Sequence, residues 1–597
     1  MPVMSTPRLR ILYSQVPALD SLRTYSFAAA RADVLAGLSV AAVALPQAMA
    51  YAMIAGLPAQ YGLYTAIVMT TVGALFDSSR QLINGPTNAI SIALLSAIGS
   101  LGGQDERIQA AVLVAFLVGA IQLVISVLRL GDLTRYISHS VIVGFTAGAS
   151  VLLLLDQTKN LFGLKAVGDV HDHFLYRFWL TVTQGGAIHG PTLAVGVASI
   201  AMILALRWLK RSLGVRLLPE LLIVVVLMAT AVAQFGLVEQ GVAVVGDIPA
   251  ALPSPQLPAF GAPYLQDLAG SALAIALLGL LEAISMAKGI AAVTGQKLDM
   301  NQQCMSEALA NVTGSFFQCM PGSGSLTRSA INQQAGAQTQ WSGVVSAAAV
   351  ALLMLVFAPY ARFIPRSALA GLLMITAARM VNLRDLRYHV RASRFDAVIV
   401  ATTAIAAFAI SIEFCVLIGV FMSFLLAVPR MGRMLLTEFV VTVDRTVRER
   451  RPGDEGCDRI LIFGLEGEMY FGSGASLEQH LDTIEARVRP ETQAVVLRLK
   501  RARNADAVGL SLLEKFVDRL QGRGVHVILC GVQEAMLTRM QNCGLAAKLD
   551  ATHVFAEQPV KQTSTVLAIR FAYDLLTDFC ATCPRRNGSA RPMYYEI

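Results

Sequence analysis

The chain has 597 residues, of which 55% are hydrophobic and only 15% are charged. Soluble domains are roughly 45–50% apolar and about 25% charged, so this composition excludes a wholly soluble protein and predicts a polytopic membrane protein. The net charge of +8 would suit a nucleic-acid ligand, but the basic residues stand at the ends of apolar runs. Basic residues in that position report membrane topology, and no nucleic-acid partner is expected.

Apolar runs long enough to cross roughly 30 Å of hydrocarbon follow one another along most of the chain. Eleven lie at 34–54, 61–78, 108–128, 138–155, 190–208, 218–236, 267–288, 341–358, 366–381, 395–411 and 413–429, and three shorter or interrupted ones lie at 87–100, 301–317 and 325–337. These fourteen runs predict a transmembrane domain over 33–433, embedded in the lipid bilayer. Residues 1–32 carry four arginines and no compact apolar core, so we expect a cytoplasmic segment without a cleavable signal peptide.

Clusters of lysine and arginine predict the orientation of these helices. They occur in the N-terminal segment, at Arg80, at Arg129 and Arg135, at 207–216, at 379–394, and at Arg430 and Arg433. Alternating crossings place all of these clusters on one side, so the positive-inside rule makes both termini cytoplasmic. The expected location is the cell membrane, plasma or inner, with the loops 156–189 and 237–265 facing outward.

Two of the interrupted runs, the third and the tenth, occupy equivalent places if the membrane domain is two repeats of seven helices. Each follows a turn-forming stretch, Asn84-Gly-Pro-Thr-Asn88 in one case and Pro321-Gly-Ser-Gly-Ser325 in the other. Because seven is odd, the second repeat is inverted relative to the first. Corresponding broken helices in inverted repeats point to a binding site near the middle of the bilayer. The structural alternative is that glycine and proline merely kink two packed helices.

The character of the chain changes after Arg433. Strands are predicted at 459–463, 494–499 and 525–529, with helices at 475–488, 508–521 and 533–542. This alternation predicts a small cytoplasmic α/β domain over 438–560, followed by a C-terminal helix and basic tail over 561–597. The region has no glycine-rich phosphate loop and no obvious nucleophile with a base, so we do not expect an enzyme.

The cysteines and histidines provide no clear metal site. Cys580 and Cys583 form a Cys-x-x-Cys pair, but a tetrahedral metal needs two further ligands and none lies close in sequence. His171 and His173 fit a solvated loop equally well. We expect neither a metal nor another cofactor.

Long motifs then support a family. They are Pro46-Gln-Ala-Met-Ala-Tyr51, Ala55-Gly-Leu-Pro58, Gly62-Leu-Tyr64, Ser79-Arg80, Gly85-Pro86, Gly279-Leu-Leu-Glu282-Ala-Ile-Ser285-Met-Ala-Lys288, Asn301-Gln302, Ala310-Asn311, Gly314-Ser-Phe-Phe317, Gly324-Ser-Leu-Thr-Arg328-Ser and Gln334-Ala-Gly-Ala337. Together they resemble the SulP family of anion transporters, and the soluble region resembles the STAS domain that follows the membrane domain in that family. The resemblance extends from about residue 25 to 560.

The resemblance implies a fold of fourteen transmembrane segments in a seven-plus-seven inverted repeat. Helices 1 to 4 and 8 to 11 would form a core domain that moves against a gate domain of helices 5 to 7 and 12 to 14. It also implies a homodimer and an anion site between the N-termini of helices 3 and 10. A helix N-terminus presents unpaired N–H groups and about half a positive charge, so two of them suit an anion without many basic side chains.

The predicted substrate-binding residues come from three helices. Gln47 and Tyr51 are four residues apart on one face of helix 1, and the resemblance places that face toward the anion. Asn88 stands at the start of the third helix, where its side chain would cap the helix or reach the anion. From the tenth helix the prediction adds Ser325, Leu326, Thr327 and Arg328, with Arg328 contributing positive charge. A structural role for Gln47 between helices and an ion pair of Arg328 with Glu282 are the alternatives.

Glu282 and Ser285, which share a face of the eighth helix, are the predicted coupling-ion residues. Burial favours the protonated form of a carboxylate, which suits a coupling proton. In sodium-coupled proteins that this chain resembles, a hydroxyl follows one turn after the acidic residue. The corresponding residue here is Met286, which cannot provide a hard oxygen ligand. Proton coupling is therefore favoured over sodium, and a buried carboxylate that never titrates is the structural alternative.

The sequence thus predicts a secondary active anion transporter, a proton symporter for sulfate or a related inorganic or dicarboxylate anion that works by alternating access. The alternatives are a sodium-coupled bicarbonate transporter and a passive anion channel or exchanger. In STAS domains related to anti-sigma-factor antagonists, a serine two residues after an aspartate is phosphorylated. Here Val508 follows Asp506, so that switch is absent, and interaction or assembly is the more plausible role of this domain.

Overall fold

The computed structural model describes residues 16–131, 138–168, 172–213, 219–261, 265–410, 412–442, 445–454, 456–558, 563–577 and 594–595. The chain forms two compact units, Met1–Ser423 and Phe424–Ile597. His171, Cys580 and Cys583, which the sequence analysis considered as ligands, lie outside the described residues.

The first unit is helical, and within its described residues fourteen principal helices occupy the fourteen predicted runs. They are α1 (Phe27–Ile54), α2 (Ala59–Phe76), α3 (Asn88–Ile98), α4 (Gln104–Val127), α5 (His139–Phe162), α6 (Gly190–Ser212), α7 (Glu220–Gln234), α8 (Leu265–Thr294), α9 (Met300–Ser315), α10 (Leu326–Gln334), α11 (Trp341–Phe357), α12 (Arg366–Met380), α13 (Arg394–Ala409) and α14 (Ile412–Met431). Short helices at Pro17–Ser21, Phe174–Gln184 and Leu383–Ala392 lie between or before them.

Length and composition distinguish the helices that can span a bilayer alone. Among the described residues, seven helices are long and apolar enough to do so: α1, α2, α4, α5, α6, α8 and α11. In contrast, α3 has 11 residues and α10 has 9. At 1.5 Å per residue these two reach only about 14–17 Å, roughly half of the hydrocarbon thickness. They are half-helices, as the interrupted sequence predicts.

An antiparallel pair of short strands joins the two half-helices. Strand β1 (Asn84–Gly85) precedes α3, strand β2 (Ser323–Gly324) precedes α10, and Asn84 pairs with Gly324. Non-helical backbone at membrane depth must be satisfied by protein. Side chains from the surrounding helices do this: Thr70 of α2 donates to the Asn84 carbonyl, and Asn311 of α9 exchanges two hydrogen bonds with Gly322.

Helix packing follows the expected equivalence of α1–α7 with α8–α14. Helix α4 packs on α9, and the equivalent helices α11 and α2 also pack on each other. In the same way, α1 packs on α10, and α8 packs on α3. Likewise, α5 packs on α13 while α12 packs on α6. Each of these contacts therefore recurs when the helix number is shifted by seven, as expected for a repeat of seven helices.

The second unit contains a seven-stranded sheet with helices on both faces. Its strands are β3 (Leu435–Val441), β4 (Thr446–Glu449), β5 (Ile460–Glu468), β6 (Ala494–Arg503), β7 (His526–Val532), β8 (Val554–Ala556) and β9 (Tyr594–Tyr595), in the order β8-β7-β6-β5-β3-β4-β9. The helices are α15 (Gly474–Arg487), α16 (Ala507–Gln521), α17 (Glu534–Asn542) and α18 (Thr563–Asp574). Strands β5 to β8 are parallel, as predicted for strand-helix alternation.

Two apolar clusters hold this sheet. One face packs against α15, α16 and α17, and its largest fully buried side chain is Phe516. The other face packs against α18 through Ile569 and Ala572. The sequence analysis found β5, β6 and β7 but not β3, β4, β8 or β9.

Candidate functional site

The N-termini of α3 and α10 meet at the paired strands β1 and β2. Backbone N–H groups in the first turn of a helix have no partner within the helix. At α10 the N-cap residue Ser325 makes no capping bond through its hydroxyl, and its own N–H donates to the Ile83 carbonyl at 2.9 Å. The N–H groups of Leu326 and Thr327 therefore remain directed toward the helix end, where the helix dipole favours an anion.

Arg328 lies in the first turn of α10 and is almost completely buried, with 1% of its surface exposed. Its Nη2 donates to the Pro86 carbonyl at 2.8 Å, which ties α10 to the segment before α3. Gly85 makes this approach possible, because a Cβ built there would lie 2.8 Å from Nη1. The φ of Gly85, +142°, is also one that side chains with a Cβ rarely adopt.

The Nε of Arg328 has no hydrogen-bond partner among the described residues. Among the described residues, no ion pair joins Arg328 to Glu282. This argues against the alternative, considered from the sequence, that Arg328 has only a structural role as the partner of Glu282. A buried guanidinium with unused donors is costly unless a ligand completes it. This arrangement is therefore suited to an anion.

Gln47 and Tyr51 lie on α1, one turn apart, and both are buried, with 1% and 4% of their surface exposed. The amide of Gln47 follows Pro46 in the helix, and neither its oxygen nor its nitrogen has a hydrogen-bond partner among the described residues. Tyr51 interacts electrostatically with both Arg328 and Glu282. The predicted residues Tyr51 of α1, Glu282 of α8 and Arg328 of α10 are thus brought together. Gln47 offers an unpaired amide donor on α1.

Thr87 was not predicted as a site residue, but the structure gives it two roles. It is the N-cap of α3, where its hydroxyl accepts from the Ile90 N–H at 3.4 Å. The same hydroxyl donates to Oε2 of Glu282 at 2.9 Å. The proposed cap at Asn88 is therefore wrong: Asn88 is the first helical residue, and its side chain is 3% exposed.

A cavity of about 60 Å³ lies beside Glu282. It is bounded by α8, α5, α14 and the first residue of α10, and its lining includes Glu282, Ser285, Met286 and Leu326. Since roughly 10–15 Å³ on this scale holds one water, the space accommodates several waters or a small anion. The predicted residue Leu326 thus contributes an apolar wall. Thr327 is half-buried beside it.

In the second unit, Asp506 caps α16 by accepting from the Gly509 N–H at 2.9 Å, and its other oxygen accepts from the Phe471 N–H at 2.7 Å. Val508, at the position where a phosphorylated serine would stand, is 45% exposed. The hydrogen bonds of Asp506 therefore hold the backbone of this loop although residue 508 has no hydroxyl.

Comparison with known proteins identifies the family. The family model described as "Sulfate permease family" matches residues 31–403, and the STAS domain model matches residues 452–558. The chain belongs to the sulfate permease family. The resemblance inferred from the motifs is confirmed, as are the helical transmembrane fold and its C-terminal STAS domain.

Individual relatives agree with this assignment. YvdB of Bacillus subtilis is 29% identical over 530 residues, which cover 88% of this chain and 95% of YvdB. High affinity sulfate transporter 2 of Stylosanthes hamata is 26% identical over 562 residues, or 90% and 84% of the two chains. The murine Slc26a9 anion transporter in its inward-facing state superposes with a TM-score of 0.86 at 20% identity, covering 96% of each chain.

These comparisons support a multi-pass membrane protein that transports a small inorganic anion. The family consists of transporters and not of enzymes.

Proposed function

We propose that this protein is a secondary active transporter that moves sulfate, or a related inorganic or dicarboxylate anion, together with a proton. The observation that carries the proposal is the buried Arg328 between two half-helix N-termini, with Tyr51 in electrostatic reach of it and the unpartnered Gln47 amide one turn from Tyr51 on α1. These groups provide N–H donors and positive charge at bilayer depth. Alternating access would then expose this site by movement of a core domain, α1–α4 and α8–α11, against a gate domain, α5–α7 and α12–α14.

Glu282 supports proton coupling because it lines the cavity and lies within electrostatic reach of Arg328. Its Oε2 accepts from Thr87, and its neighbours along the cavity are Ser285 and Met286. A sodium ion requires several hard oxygen ligands, but the thioether of Met286 occupies the wall where another oxygen would be needed. A carboxyl group that binds and releases a proton needs no such shell, so a proton is the favoured coupling ion.

Several features of this transporter remain proposals that follow from the family and the charge pattern. They are a homodimer, a location in the cell membrane and cytoplasmic termini. The domain boundaries over 1–32, 33–433, 438–560 and 561–597 also stay predictions.

The coupling is tested in proteoliposomes with labelled sulfate and an inward proton gradient. We expect sulfate to accumulate above equilibrium in the wild type and to leave when a protonophore is added. Glu282→Gln keeps the side-chain size but cannot cycle a proton, so accumulation should be abolished while sulfate counterflow continues. Glu239→Gln, which removes an exposed loop carboxylate, is the matched control. Proton symport through Glu282 is refuted if the glutamine variant still concentrates sulfate.

The identity of the anion is tested separately on purified protein. Only a ligand that binds the folded state raises apparent stability. A thermal-shift panel of sulfate, bicarbonate, chloride, succinate and fumarate should give the largest shift with sulfate or a dicarboxylate, and a shift with chloride alone would contradict the proposal.

A further inference from the structure

Two more buried carboxylates lie in the core next to the site, and neither is among the residues proposed to bind the anion. Asp77 directly follows the last residue of α2, and Glu307 stands in α9. Both side chains have 0% of their surface exposed. Acidic residues are almost never fully buried unless they are paired, so each needs a physical explanation.

Asp77 is surrounded by neutral donors. Its Oδ1 accepts from Gln303 Nε2 at 2.6 Å, from Ser306 Oγ at 2.7 Å and from Asn84 Nδ2 at 3.2 Å. Hydrogen bonds of this kind favour the charged form of a carboxylate. Asp77 is thus well arranged to be an anion, and through Asn84 it is connected to strand β1.

Glu307 lies in the opposite situation. Neither of its carboxyl oxygens has a hydrogen-bond partner among the described residues. Gln303, one turn earlier, approaches Glu307, but its amide is directed to Asp77. An ionised carboxylate without a partner in a place that water does not reach is expensive, and such a group neutralises instead. Glu307 is therefore suited to hold a proton.

The position of Glu307 gives this proton a role. Glu307 interacts electrostatically with both Asp77 and Glu282, and these are the charged groups recorded as acting on it. Glu282 in turn faces Arg328 and Tyr51. Glu307 accordingly lies within electrostatic reach of Glu282 on one side and of Asp77 on the other, and Asp77 precedes the exposed Arg80 by three residues.

We propose that Glu307 relays the coupling proton between Glu282 and Asp77. In the inward step, the proton on neutral Glu307 leaves its carboxyl oxygen and bonds to a carboxylate oxygen of Asp77, so that Asp77 becomes neutral. The carboxylate of Glu307 that this leaves then takes the proton from Glu282, so that Glu307 is neutral again and Glu282 becomes charged, and no electrons are exchanged. The inference rests on the proposed proton symport and adds the route by which the proton leaves the site.

The test uses the full chain in proteoliposomes, with sulfate as the probe. Glu307→Gln keeps the shape of a neutral carboxyl group but cannot transfer a proton. Proton-driven accumulation should fall by roughly 10²-fold, the usual scale of a lost proton-transfer group, while sulfate counterflow at equal pH should stay within twofold of the wild type. The matched control is Asp33→Asn, which alters a buried carboxylate of the same unit that accepts from the Gln338 N–H at 2.7 Å.

A second measurement is independent of transport. The infrared spectrum of the wild type should contain a carbonyl band of a protonated carboxylic acid that Glu307→Gln removes and Asp33→Asn retains. Normal proton-driven accumulation by Glu307→Gln would overturn the relay and leave the proposed symport intact. Loss of both counterflow and accumulation would show a structural residue and also overturn it. If the wild type itself never responds to a proton gradient, the symport proposal fails first, and all variants would then behave alike.

Discussion

Gly85→Ala tests whether the position of Arg328 determines anion binding. The added Cβ would lie 2.8 Å from Nη1 of Arg328, a distance that real Cβ contacts essentially never show, and 3.1 Å from Nη2, which is tight. The atom in the way is the far end of a flexible side chain, so the protein can fold with the guanidinium displaced. Displacement removes the bond to the Pro86 carbonyl, and a hydrogen bond of a charged group contributes about 1.5–3 kcal/mol. We expect sulfate affinity to fall between about tenfold and a hundredfold.

The alanine also introduces backbone strain of about 1–3 kcal/mol, because φ is positive at Gly85. Gly336→Ala controls for this: Gly336 has a φ of +90°, follows the end of α10, and has no atom within 4 Å of its added Cβ. Both variants should lose thermal stability, but only Gly85→Ala should lose sulfate affinity in calorimetric titration. Gly85→Ala combined with Arg328→Ala should bind no worse than Arg328→Ala alone. Additive losses would refute the reasoning.

Four further predictions concern separate residues. Thr87→Val removes the hydrogen bond to Glu282 and the cap of α3, so it should lower the free energy of unfolding by about 1–3 kcal/mol. Thr87→Ser should retain most of that stability, and equal melting temperatures of the two variants would contradict the prediction. Thr327→Trp should block sulfate uptake by filling the space at the end of α10 while leaving surface expression normal, and wild-type uptake would place the anion elsewhere. Asp506→Ala should lower the free energy of unfolding of the STAS domain by about 1 kcal/mol or more, measured as faster proteolysis. Val508→Ser should leave transport intact, and a large loss of transport in this variant would show that the loop bears on the membrane domain.

The helical framework was predictable because bilayer thickness and hydropathy determine where helices form. All fourteen runs contain a helix, and the two turn-forming stretches mark the half-helices α3 and α10. The symmetry argument needed only the order of the runs. Strands β3, β4, β8 and β9 were missed because short or edge strands have little periodicity to detect.

Contacts between residues that are far apart in the sequence were harder to predict. Asparagine is a better N-cap than threonine by preference, so the sequence favoured Asn88; the extended backbone of Thr87, with φ −121° and ψ 157°, places the cap one residue earlier. Glu307 resembles an ordinary polar residue of a helix. Its significance depends on Asp77, whose hydrogen-bond partner Gln303 is 226 residues away in sequence.

A single buried arginine explains how binding of the proton and the anion would be coupled in the proposed symport. When Glu282 carries a proton, it no longer offsets the positive charge of Arg328, and the site attracts an anion. When Glu282 loses its proton, a negative charge returns within electrostatic reach of Arg328, and anion binding weakens. Because binding linkage is reciprocal, the anion must promote protonation of Glu282 by the same factor. A site with several cationic side chains would bind the anion more tightly, but its affinity would change less when one proton binds. Helix N-termini provide the remaining attraction without adding full positive charges.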